Sequence, residues 1–180
     1  MSGMRFLAAS RPAVAHRRSA ALVAGLVVAG LLLAACSSAA ATPGAKAGDV
    51  PAVAHASDLS VAPVVAKDAA APPTKLVVRD LVVGHGTLAT KSSTVQVNYV
   101  GVDYRTGVVF NSTWSTNQPA TFPLSETIPG FGEGIAGMRV GGRREIVIPP
   151  ALAYGAAGRP PVIGKNETLV FVVDLLDVQG

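Results

Sequence analysis

The chain has 180 residues, 49% of them hydrophobic and only 14% charged, with a formal charge of +4. That length fits one domain with extensions. Arg5, Arg11, Arg17 and Arg18 precede position 36, and the other 11 basic residues face 11 acidic ones, so the charge is no nucleic-acid footprint. One cysteine excludes an internal disulfide. His16, His55 and His85 are too scattered to converge as the three or four ligands of a zinc site, so no metal and no cofactor are expected.

Residues 1–35 read as a secretory leader. A basic stretch ends at Arg17-Arg18, Ala20 to Ala35 carries no charge, and small residues stand before Cys36. The apolar run is 16 residues, short of the roughly 18 of a spanning helix. Leu33-Ala34-Ala35-Cys36 resembles the lipobox of bacterial lipoproteins. That resemblance implies a diacylglycerol thioether on Cys36 and a cell-membrane anchor facing the extracytoplasmic side. Two or more acyl chains hold a protein stably where one does not.

Residues 36–57, rich in Ala, Ser, Pro and Gly, have too little apolar surface to offset ordering entropy and read as a flexible tether. Residues 58–74 read as an extended lead-in. Leu59, Val61, Val64 and Val65 could pair as a short edge strand, limited by Pro63, Pro72 and Pro73.

Strand patterns begin at Lys75. Leu76 to Val83 is rich in β-branched residues and stops at Gly84-His85-Gly86, a turn cluster. Thr94 to Asp103 alternates, with Val95, Val97 and Tyr99 on one face and Gln96 and Asn98 on the other. Arg105-Thr106-Gly107 reads as a turn into Val108-Val109-Phe110. Phe131, Ile135 and Met138 have helical spacing, although glycines between them each cost about 1 kcal/mol in a helix. Arg143 to Ile148 and Thr168 to Val178 are further strands, joined by a Pro- and Gly-rich loop. The sum is an α+β domain over 75–180: an antiparallel sheet with one short helix.

The domain contains, in this order, Val97-Asn98-Tyr99-Val100-Gly101, Gly107-Val108-Val109-Phe110, Ile128-Pro129-Gly130-Phe131-Gly132-Glu133-Gly134, Gly137 to Arg143, Leu152-Ala153-Tyr154-Gly155 and Thr168-Leu169-Val170-Phe171. Together these segments resemble the FK506-binding (FKBP) type of peptidyl-prolyl cis/trans isomerase. The resemblance implies a five-stranded twisted antiparallel sheet wrapped around the helix, with Phe131, Ile135 and Met138 facing it. It implies a site in which Tyr99, Phe110, Asn111, Tyr154 and Phe171 act on the substrate. Thr127, Ile128, Phe131, Val162 and Ile163 would bind it. The implied partners are proline-containing polypeptides, exported clients among them, met by a monomer. A non-catalytic module that holds a proline-bearing segment is the alternative. No nucleophile and no general base are needed for this chemistry, and no His follows position 85.

The chain departs from the family pattern in six places. Asn111 replaces an aspartate, Thr116 its basic partner, Phe131 a tryptophan and Ala120 an aromatic, Pro160-Pro161 replaces a glycine-containing flap, and Gly164-Lys165 replaces a proline pair. A wider, more neutral pocket is expected, with the Asn111 and Thr116 changes coupled because a buried carboxylate needs a partner. Trp114 is expected as an exposed or partly buried loop aromatic. Arg139, Arg143 and Arg144 are expected as a solvated cluster.

Overall fold

A computed structural model describes residues 50–180. The leader, Cys36 and the first part of the tether lie outside the described residues. The main sheet contains β3 (Val77–Val82), β4 (Thr94–Asp103), β5 (Val109–Ser112), β6 (Ala120–Pro123), β7 (Arg143–Ile148) and β8 (Leu169–Gln179), all antiparallel. Its order is β3-β7-β8-β4-β5, with β6 also on β4. Because β8 runs along the whole of one edge of β4, β5 and β6 share the other: β6 pairs with Thr94–Val97 and β5 with Val100–Val102. Five strand positions result, the fifth built from two short pieces. The sequence pattern located every one of these strands except β6, which is four residues long and ends in a proline.

The helix α1 (Pro129–Ile135) crosses the inner face of the sheet. Pro129 suits its first position, where the missing N–H would be unpaired in any case. Phe131, Ile135 and Met138 are all buried in one cluster with Val95, Val97, Ile146, Ile148 and Leu169, as their spacing implied. The helical glycines have a packing reason. A Cβ on Gly130 or Gly134 would overlap Ile148 or Ile146 of β7, so glycine lets helix and strand approach closely. The loss of helix propensity is offset by this contact. Arg144, far from solvated, donates to the carbonyls of Gly134 and Ala136 at the end of the helix and to Asp80 of β3. A cation there satisfies carbonyls that no helical N–H can reach.

The outer face is covered as well. Val100, Val102, Tyr104, Val147, Val170 and Val172 form a second buried cluster, closed by Val50 and Val65. Residues 50–66 lie over this face as a strap, held partly by the small hairpin β1 (Val53–Ala54) with β2 (Val64–Val65). The tether was expected to continue to residue 57; the structure places residues 50–57 in the fold. Val50 and Val53 pack on the outer cluster, and backbone carbonyls of the segment accept hydrogen bonds from the sheet.

Arg143 is the centre of that attachment, and its burial reverses the expectation of a solvated side chain: it is 0% exposed. Nε and Nη2 grip Asp174 as a fork at 2.5 and 2.7 Å. Nη1 donates to the carbonyls of His55 and Asp58 at 2.5 and 2.9 Å, and Nη2 also to Val61 at 3.1 Å. A guanidinium has five N–H donors, and all five are used. Trp114 is partly buried on the same cluster, its ring centroid 6.0 Å from the Arg143 guanidinium carbon. Nearby, Arg79 pairs with the buried Glu145 at 2.6 Å and donates to the carbonyl of Pro51. Of the three arginines expected in solvent, only Arg139 is exposed.

Candidate active site

On the inner face, a cavity of about 760 Å³ opens between the sheet, the start of α1 and the loop after Tyr154. Four rings build its walls. Tyr99 projects from the centre of β4, Phe171 from β8 opposite Gly101, Phe110 from β5 and Phe131 from the first turn of α1. Phe131 meets Phe171 at 5.0 Å between centroids and 70°, and Phe110 meets Phe171 at 5.5 Å and 81°. Tyr99 meets Phe131 at 6.1 Å and 74°. These edge-to-face arrangements suit the ring quadrupoles and hold each ring in place. Gly101 makes the arrangement possible. Its inward Cβ would lie within 2.9 Å of ring carbons of both Phe110 and Phe171.

The remaining walls come from backbone turns. Ile128 caps α1, its carbonyl accepting from the N–H groups of Phe131 and Gly132. The Ile128 N–H makes no hydrogen bond among the described residues, which leaves it for an incoming carbonyl. Thr127 is fixed by its hydroxyl, which donates to the Leu124 carbonyl at 2.8 Å. Beyond Tyr154 the chain folds into a flap. Arg159 and Ile163 exchange both backbone hydrogen bonds, at 2.8 and 3.0 Å, and close the tip Pro160-Pro161-Val162. Ile163 is buried beneath the flap, whereas Val162 is exposed at its tip. The structure thus brings Tyr99, Phe110, Asn111, Thr127, Ile128, Phe131, Tyr154, Val162, Ile163 and Phe171 around one cavity.

Residues 86–176 match the family model described as FKBP-type peptidyl-prolyl cis-trans isomerase. The chain belongs to that family. Peptidyl-prolyl isomerisation is accordingly its activity. It is 49% identical over 105 residues to a probable FK506-binding protein of Corynebacterium glutamicum, covering 58% of this chain and 87% of that protein. It is 46% identical over 96 residues to the peptidyl-prolyl cis-trans isomerase Mip of Coxiella burnetii, covering 53% of this chain but only 41% of that one. The crystal structure of FkpA from Escherichia coli superposes with a TM-score of 0.56 at 43% identity, over 59% of this chain and 49% of the other. The family match begins after the strap and after β3, so the covering of the outer face lies outside it.

Within this FKBP-type domain the cavity also holds residues that the sequence reading did not select. Phe122 of β6 lies 6.0 Å from Phe131 and 6.2 Å from Tyr99. It supplies the aromatic wall that Ala120 lacks. Val95 pairs with Phe122 and Val97 with Ala120, so both residues face inward and the ring is displaced by two positions. The alternation of Ala120 and Phe122 was the available signal. Glu126 and Arg159 also line the cavity, so it is neutral in its walls but charged at its mouth.

Asn111 is exposed at the rim, and the Thr116 hydroxyl is used by the Thr113 carbonyl at 3.1 Å. The expected coupling assumed a buried position. At an exposed rim water solvates either residue, and the penalty for an unpaired buried charge does not apply. Burial pushes the Tyr99 phenol above its usual range, and neighbouring Tyr154 adds to the shift. Tyr154 is half-buried, its ring beneath the Arg159 guanidinium at 5.8 Å.

Proposed function

We propose that the inner-face cavity is where the prolyl bond is turned. Rotation about X-Pro breaks amide resonance, against a barrier of about 18–20 kcal/mol for peptide bonds. The twisted amide has lost its conjugation and is less dipolar than the planar one. An apolar enclosure binds that twisted form better than the ground state, which is what accelerates a reaction. Tyr99, Phe110, Phe131 and Phe171 receive the proline ring. The Tyr154 hydroxyl and the Ile128 N–H donate to carbonyls on either side of it, Thr127 shapes the turn, and Val162 with Ile163 cover the segment. The observation that carries this reading is the interlocked set of rings around a cavity with just two charged lining residues.

A protease-free proline isomerisation assay tests it. Phe110 is half-buried at the sheet edge, so Phe110→Ala should fold and lose at least about ten-fold in kcat/KM, equivalent to roughly 1.4 kcal/mol. A folded, fully active variant would place the site elsewhere.

The leader and Cys36 support a second part of the proposal: a lipid-anchored protein on the extracytoplasmic side, acting as a monomer on exported polypeptides. No described helix is long and apolar enough to cross a membrane. Cys36→Ser should shift the protein from the membrane to the soluble fraction, or stall it unprocessed. Wild-type protein found soluble and without an acyl mass on Cys36 would refute the anchor.

A further inference from the structure

Among the described residues, the arginines in and just before the sheet strands have partners for their charge or their donors. Arg79, Arg143 and Arg144 each hold a carboxylate, and Arg139 donates to the carbonyl of Gly86. Arg159 differs. It is exposed and lines the cavity, and no carboxylate of the described residues lies within ion-pair distance of it. Its position is nevertheless fixed. The paired backbone hydrogen bonds to Ile163 set the base of the flap, and the guanidinium rests on the Tyr154 ring. Nη1 donates to the Tyr154 hydroxyl oxygen at 3.4 Å, which leaves that hydroxyl's own proton for a substrate carbonyl.

The Arg159 charge also acts on the cavity. Burial, and after it Tyr154, push the Tyr99 phenol up, and Arg159 works against both. The other charged lining residue is Glu126, just before the helix, likewise exposed and without an ion pair among the described residues. The mouth therefore has a cationic flap and an anionic approach to the helix.

We infer that Arg159 is a specificity-determining residue that favours X-Pro segments carrying an aspartate or glutamate beside the proline, on the side lying under the flap. The inference rests on the inner-face cavity being the isomerisation site. A guanidinium attracts a carboxylate and offers it a planar pair of donors. The same charge repels a lysine there. Because Arg159 is exposed, the preference should be modest and sensitive to salt.

The experiment is a protease-free isomerisation assay with three peptide sets, bearing Glu, Ala or Lys immediately before or immediately after proline. Rates are normalised to the Ala peptide of the same variant, so any uniform change in activity cancels. In the wild type, at one of the two positions, kcat/KM should follow Glu over Ala over Lys, with about two- to five-fold per step. The order should collapse in Arg159→Gln, survive in Arg159→Lys, and collapse in 1 M salt, where the Debye length is about 3 Å. Equal rates for the three residues at both positions in the wild type would overturn the inference. So would an acidic preference that is unchanged in Arg159→Gln or at high salt. Loss of no activity on the Ala peptide in Phe110→Ala would instead overturn the cavity as the site, which keeps the two failures apart.

Discussion

The two faces of the main sheet are made by the same strands and carry opposite chemistry. On the inner face, alternate residues of β4, β7 and β8 present Val97, Tyr99, Ile146, Ile148 and Phe171 to the helix and the cavity. On the outer face the intervening residues include Arg143, Glu145 and Asp174, all buried beneath the strap with a set of valines. An alternating strand ordinarily has its polar side in water. Here water is replaced by backbone carbonyls of residues 51–61, which accept from Arg79 and Arg143. The inner face leaves its cavity open for a ligand. The outer face is filled by the chain itself, so substitutions there should act on stability and inner-face substitutions on rate.

The largest break in this comparison should come from Arg143→Ala. It leaves the Asp174 carboxylate buried without its partner and releases the carbonyls of the strap. Removing one member of a buried pair costs about 3–5 kcal/mol. Chemical denaturation should show that loss, a large part of the stability of a typical domain. Arg139→Ala, at an exposed position, should stay within about 0.5 kcal/mol of wild type. Equal effects would mean that the strap is not an integral part of the fold.

Next in size is the pH response of Glu145. Burial raises its carboxyl from 4.5 to about 7, with Arg79 opposing the shift. Among the described residues only Arg79, 2.6 Å away, favours the charged form. Because the folded pKa is the higher one, the folded state keeps a proton that the unfolded chain has released across this interval. The favourable contribution is complete below 4.5 and is lost as pH rises through about 7. The loss is on the order of 3 kcal/mol. Glu145→Gln should therefore flatten the fall in stability between pH 5 and 8. A variant whose profile parallels the wild type would assign the pH response to other groups.

The smallest effect, Tyr154→Phe, sharpens the inner side of the comparison. It removes one donor worth about 0.5–1.5 kcal/mol, a two- to twelve-fold loss in kcat/KM. Thermal unfolding should be nearly unchanged, since the half-buried ring remains. A loss of stability without loss of rate would make Tyr154 a core residue.

The legible part of the molecule was the part governed by local pattern. Strand alternation in Thr94–Asp103 separated Val95, Val97 and Tyr99 from Gln96 and Asn98 without any tertiary information. Ordered motifs from Val97 to Phe171 allowed ten cavity residues to be named, and they surround one cavity. The glycines of α1 were a local conflict that packing resolves: their merit is a close approach to Ile146 and Ile148, which helix propensity cannot register. Phe122 escaped because its strand is short, and its wall is shared by register with Ala120.

What the sequence determined by itself was the inner face, because hydrophobic periodicity and backbone propensity are properties of neighbours along the chain. What only the tertiary structure decided was the fate of the charges. Arg143, Arg144 and Arg159 are alike in sequence, yet one is buried under a strap some 85 residues earlier, one caps a helix end, and one stands at the cavity mouth with no carboxylate partner among the described residues. A charged side chain is placed by the partner that replaces its water, and that partner is set by contacts between distant segments.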